Sequence, residues 1–103
     1  MWSVADLCYL AGLFDGEGTI YIMSNKIKQR TPKQYALRIV IGMTSREVIQ
    51  WVSQTFGGRI YIEPRGIHVP IWKWMPSQTR TLIVLKAILP FLKLKGSQAE
   101  VGI

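Results

Sequence analysis

Nine residues near the N-terminus constrain this chain most: Leu10-Ala11-Gly12-Leu13-Phe14-Asp15-Gly16-Glu17-Gly18, an apolar run with helical spacing that ends in two carboxylates set among glycines. A helix from about Val4 to Phe14 puts Asp15 and Glu17 at its C-terminal end. There the macrodipole leaves partial negative charge, and a further anion typically costs about 0.3–1 kcal/mol. A bound cation would offset that cost. Gly16 and Gly18 are expected to let the backbone turn out of the helix and to leave room for a phosphate or a second chain. Gly12 is harder to place, because glycine inside a helix is about 1 kcal/mol worse than alanine, and close packing against another helix would compensate for it. An ordinary buried helix with a glycine C-cap explains the same residues without any ligand, and both readings stand at this point.

The charge distribution sharpens the first. The 103 residues carry thirteen Lys and Arg against six Asp and Glu, a net charge of +7, yet Asp6, Asp15 and Glu17 all precede the first basic residue, Lys26. A basic chain attracts polyanions, nucleic acid first among them, and a carboxylate tolerates a phosphate beside it only with a cation between. Carboxylates gathered in a basic protein therefore point to a divalent metal held against a nucleic-acid phosphate, the chemistry of a nuclease. A membrane surface fits less well, because the cations alternate with apolar residues at strand period instead of lining a helix face. The longest apolar run in this region, Leu7 to Phe14, is far short of the roughly 20 residues of a membrane span, and no basic segment precedes it. The expectation is a soluble intracellular protein without a signal peptide. Cys8, the only cysteine, excludes an intrachain disulfide and is expected to be a small buried hydrophobe.

Periodicity gives one domain of order αββαββα, an α+β chain. Ser3 is expected to cap the first helix with Asp6 as its acidic partner. From Thr19 the period changes to two, with Ile20 and Ile22 on one face and Tyr21, Met23 and Asn25 on the other. Lys26 to Lys33 reads as a long basic hairpin loop. The returning strand places Tyr35, Leu37, Ile39, Ile41 and Met43 inward and Ala36, Arg38, Val40 and Gly42 outward. Thr44-Ser45-Arg46-Glu47 reads as a capping box opening a helix that carries Val48, Ile49, Trp51, Val52 and Phe56 and stops at Gly57-Gly58. A second hairpin has Ile60 and Ile62 inward, Arg59, Tyr61 and Glu63 outward, and a turn at Glu63-Pro64-Arg65-Gly66. Its return strand has Trp72 and Trp74 on one face and Ile71 and Lys73 on the other, with Pro70 marking an edge or a bulge. Ser77 opens a third helix that breaks near Pro90, and Gln98 to Ile103 begins a fourth.

The outward set Tyr21, Met23, Asn25, Arg38, Arg59, Tyr61, Glu63, Arg65, Ile71 and Lys73 combines cations, an amide, aromatics and a carboxylate. Such a surface can touch phosphates and base edges in a major groove. Lys26, Lys28 and Arg30 in the basic loop would extend it along the backbone. His68, the sole histidine, has no metal-ligating companion in the sequence and reads as a surface or packing residue.

The nonapeptide resembles the defining motif of the LAGLIDADG homing endonucleases, matching at Leu10, Ala11, Gly12, Leu13, Asp15 and Gly18, with Glu17 replacing the last aspartate. The element order is also that family's, and Pro90-Phe91-Leu92-Lys93-Leu94-Lys95 before Gln98-Ala99 is similar to the segment that carries its active-site lysine. The resemblance implies a saddle-shaped antiparallel sheet on double-stranded DNA and an intron- or intein-associated, Mg²⁺-dependent endonuclease, with Mn²⁺ able to substitute. The long, pseudo-palindromic target would be cut by a homodimer through the motif helix, at Leu10, Ala11 and Gly12, or by a chain joining two such halves. By the same resemblance Glu17 is the metal ligand, the Gly16 carbonyl an additional one, Asp15 a residue shaping the turn, and Lys95 the catalytic lysine. At the start of the second helix some members carry a glutamine that orders water. Ser45 stands there in this chain, with Arg46 beside it, so Ser45 is the corresponding candidate. A non-cleaving relative, an intron maturase or a DNA-binding regulator, is the alternative. An end at Val101-Gly102-Ile103 is compatible with a C-terminal helix cut short.

Overall fold

The computed structural model describes residues 2–25 and 34–102. Helix α1 (Val4–Glu17) leads without a loop into strand β1 (Gly18–Asn25), which pairs with β2 (Gln34–Met43). Helix α2 (Arg46–Phe56), strands β3 (Arg59–Arg65) and β4 (His68–Met75), and helix α3 (Gln78–Ile88) follow. One 3₁₀ turn (Leu89–Phe91) and helix α4 (Gly96–Gly102) complete the order. All pairings are antiparallel, in the strand order β1-β2-β4-β3. No helix among the described residues is long and apolar enough to cross a membrane.

Local chemistry accounts for the helix starts. Ser3 sits in extended backbone and accepts the Asp6 N–H, and Ser77 accepts the Arg80 N–H. The second helix is capped one residue later than expected: Ser45, not Thr44, accepts the Val48 N–H, at 3.3 Å. Gly57, at φ +75°, supplies the left-handed backbone that ends α2.

The helices cover one sheet face. Trp74 from β4, Phe14 and Leu10 from α1, Ile39 and Ile41 from β2, Phe56 from α2, and Leu85 and Ile88 from α3 are all fully buried. Each such side chain contributes about 1.5–3 kcal/mol of apolar burial. Trp74 also satisfies its indole N–H, which donates to the Gly57 carbonyl at 2.7 Å.

The strands run past this core. Ile22 and Ile62, on the expected inward face, are exposed because they lie beyond the helices. β2 and β4 pair only over Ile41, Gly42 and Met43 against Trp74, Lys73 and Trp72. Pro70 therefore sits on an interior strand but beyond the reach of β2, opposite a register shift between Glu63 and Arg65. The β3–β4 turn falls at Gly66 and Ile67, later than the expected Glu63–Gly66, since the shift carries pairing out to Arg65 and His68 and Gly66 takes φ +63°. His68 is exposed at the start of β4, and Cys8 is exposed on α1, contrary to the expected burial: the core stripe of this helix passes through Leu10, Ala11 and Phe14 instead.

Candidate active site and nucleic-acid interface

The acidic motif occupies the last turn of α1, which runs three residues beyond its expected stop at Phe14. Neither Gly16 nor Gly18 makes a left-handed turn. Gly16 is helical, and Gly18 leaves in ordinary extended backbone with its N–H donated to the Phe14 carbonyl. Space is what demands glycine at position 18. A Cβ there would collide with the buried Phe14 ring and lie 2.6 Å from the Phe14 carbonyl oxygen. Gly12 and Gly16 are different, for a Cβ at either would meet nothing within 4 Å. The packing of the described residues gives no reason for glycine at position 12.

Asp15 holds the site together. Its Oδ2 accepts the Lys93 N–H at 2.7 Å, and its Oδ1 accepts those of Leu94 and Lys95 at 3.1 and 2.9 Å. Desolvation works against its charge, but the backbone donors of Lys93, Lys95 and Leu94, with the Lys95 ammonium, prevail and hold its carboxyl below the ordinary 3.8. The clamp brings Lys95 onto α1, where its Nζ donates to the Asp15 carbonyl at 2.6 Å. Lys95 is thus half-buried and fixed, and its charge lies at the helix end where the macrodipole is negative. Glu17, two residues on, is exposed.

Carboxylate and carbonyl oxygens at one helix end suit a hard cation such as Mg²⁺, which keeps several waters and shares its sphere with substrate phosphate. Among the described residues no three His, Cys, Asp or Glu side chains converge, so Glu17 and the Gly16 carbonyl would form part of a sphere that phosphate, water or another chain completes.

The other expected site residues divide. Leu10 and Ala11, expected at a dimer interface, are instead fully buried in the chain's own core; the open side of α1 presents Cys8, Gly12 and Gly16. Ser45 uses its hydroxyl oxygen as the α2 cap, and the neighbouring Arg46 lies over the Trp72 ring, 5.2 Å from its centroid. On the sheet face away from the helices, Tyr21 is opposite Arg38, Tyr61 opposite Lys73, and Glu63 opposite Ile71. Lys73 Nζ pairs with Glu63 Oε1 at 3.1 Å. Arg65 donates through Nε and Nη2 to the Val69 carbonyl, bracing the hairpin end with the group expected to reach DNA. Lys26, Lys28 and Arg30 lie outside the described residues, as do the side chains of Met23 and Asn25. Sequence reasoning missed Arg80, whose Nη1 donates to the Phe56 carbonyl at 3.0 Å, since no local signal links positions 24 apart.

No family model and no curated protein matches this sequence. Solved structures do match. The homing endonuclease I-CvuI, in complex with the I-CreI target, aligns with a TM-score of 0.72 and 19% identity over 95% of this chain and 63% of that one. The archaeal intron-encoded homing endonuclease I-Vdi141I, complexed with DNA, gives 0.72 and 19% over 93% of this chain and 63% of that one. The LAGLIDADG meganuclease I-AabMI, bound to uncleaved DNA, gives 0.63 and 19% over 92% of this chain and 33% of that one. The chain thus spans less than two thirds of the length of each of these three neighbours.

Proposed function

We propose that this chain, which has the LAGLIDADG homing endonuclease fold, is a site-specific endonuclease of double-stranded DNA that works as a homodimer with Mg²⁺. The observation that carries the reading is the last turn of α1, where an exposed Glu17 stands two residues from the carbonyl to which Lys95 is pinned. In this reading Glu17 and the Gly16 carbonyl hold the metal, which supplies charge neutralisation at the scissile phosphate and an acidified water. Lys95 brings a fixed positive charge to the same turn and favours negative charge developing on the phosphate. Asp15 keeps Lys95 there. The sheet face, with Arg38, Arg59 and Lys73, binds the duplex.

Two copies fit the chemistry, because one chain carries one acidic motif and cutting both strands takes two. Gly12 supports the pairing: it is exposed, has open space around it, and is unfavourable in a helix interior by about 1 kcal/mol. One observation favours a non-cleaving nucleic-acid-binding relative, namely that Ser45, at the position proposed to order water, is engaged as a helix cap. Selection of cleaved sequences from a randomised duplex library, run with Mg²⁺ and with Ca²⁺, separates the two. A nuclease yields a long, two-fold related consensus of cut molecules in Mg²⁺. Enrichment of bound duplexes that stay uncut in Mg²⁺ as well as in Ca²⁺ supports the binding relative.

A further inference from the structure

The two hairpins of the sheet part company below Ile41. β2 continues through Val40 and Arg38, but β4 ends at Met75 and the chain turns away through Pro76 and Ser77 into α3. An open crease of about 600 Å³ results, with Tyr21 and Arg38 on one side and Arg59 and Tyr61 on the other. Arg80 closes one wall, where its bond to the Phe56 carbonyl fixes the guanidinium. Among the described residues three guanidiniums line this crease and no carboxylate does. The carboxylate of Glu63, on the same sheet face, is taken by Lys73. The Nε of Arg38 is buried and has no acceptor among the described residues. A buried donor without a partner is unfavourable until an acceptor arrives.

We propose that this crease is a seat for a backbone phosphate of duplex DNA, with Arg38 as its recessed ligand and Arg59 and Arg80 as its walls. The proposal rests on the DNA-binding reading above and refines it, assigning Arg38 and Arg59, which a sheet face of this kind could turn to phosphates or to base edges, to backbone positioning. A phosphodiester suits the crease better than a base edge. Guanine offers two acceptors in one plane, enough for one arginine, whereas a tetrahedral phosphate offers charged oxygens in several directions to several guanidiniums. Phosphate contacts fix the register of a protein on the duplex and carry no sequence information themselves.

The test compares the full chain with Arg38→Gln, Arg38→Lys and Arg59→Gln on two duplexes, a target recovered by selection and an unrelated sequence, over a range of salt concentrations. Arg38→Gln is expected to weaken binding to both duplexes by the same factor, roughly tenfold. It should also lower the slope of log affinity against log salt by about 0.9, with the selected base preferences unchanged. Arg38→Lys should keep the slope, and Arg59→Gln, on the exposed rim where folding is not at stake, should repeat the loss. A changed base preference with an unchanged slope makes these residues base readers and overturns the seat while leaving DNA binding intact. Variants that match the parent in both respects also overturn it. Failure of the parent chain to bind either duplex removes the DNA reading and the seat with it.

Discussion

Replacing Asp15 tests the structural half of the site. Its carboxylate is the acceptor for three consecutive backbone N–H groups of residues 93–95, at 2.7, 3.1 and 2.9 Å. Hydrogen bonds to a charged group contribute about 1.5–3 kcal/mol when buried. Asp15 is partly exposed, so each contributes about 0.5–1 kcal/mol, or about 1.5–3 kcal/mol in all for Asp15→Ala. For a domain of this size that lowers the melting temperature by about 6–24 °C. Asp15→Asn should cost less, because its carbonyl still serves Leu94 and Lys95 while its amide faces the Lys93 N–H, donor against donor. The pH dependence has a defined sign. A carboxyl held below its ordinary 3.8 in the fold contributes stability that is complete well above that value and is lost as the pH falls through the lower folded value. Thermal melts of parent and Asp15→Asn from pH 7 down to pH 2 should therefore show a gap that narrows in acid. A gap of under about 3 °C for Asp15→Ala at pH 7, or one for Asp15→Asn that stays constant down to pH 2, would refute the clamp.

Gly18→Ala should destabilise by about 1–3 kcal/mol or more through overpacking against Phe14, whereas Gly16→Ala should fold at least as well as the parent; chemical denaturation of both checks this, and equal effects would contradict it. The chain should dimerise through the open side of α1, so sedimentation should find a dimer at micromolar concentration and Gly12→Leu should dissociate it while leaving the monomer's melt near that of the parent. Cys8 lies one turn before Gly12 and should react with a thiol reagent without unfolding, more slowly as protein concentration rises. A rate independent of concentration would speak against that interface.

Much of this was legible because it is local. Ser3 and Ser77 cap the helices they were expected to cap, Gly57 ends α2, and alternation placed Arg38, Tyr61 and Lys73 on the sheet face away from the core. What failed is non-local. α1 is apolar on several sides, so periodicity alone could not reveal that Leu10 and Ala11 face inward while Cys8 and Gly12 face out. Its extension to Glu17 depends on a segment some 80 residues away that binds Asp15, and its final glycine on the size of Phe14. Ile22 and Ile62 keep the alternation of buried residues past the point where helices cover the sheet, and Arg65 is taken by a carbonyl four residues on.

The most direct measurement is strand cleavage and binding by Glu17→Gln on a selected duplex at saturating protein in Mg²⁺. The amide keeps the shape of the side chain and removes the charge that would anchor the cation against phosphate. Cleavage should vanish while binding persists, and in the absence of metal binding should tighten, since an unscreened carboxylate repels phosphate. Lys95→Met should slow cleavage with only a small loss of stability. Cleavage by Glu17→Gln at the parent rate would contradict the proposed centre and leave the chain a DNA-binding module whose acidic turn serves only to fasten residues 93–95.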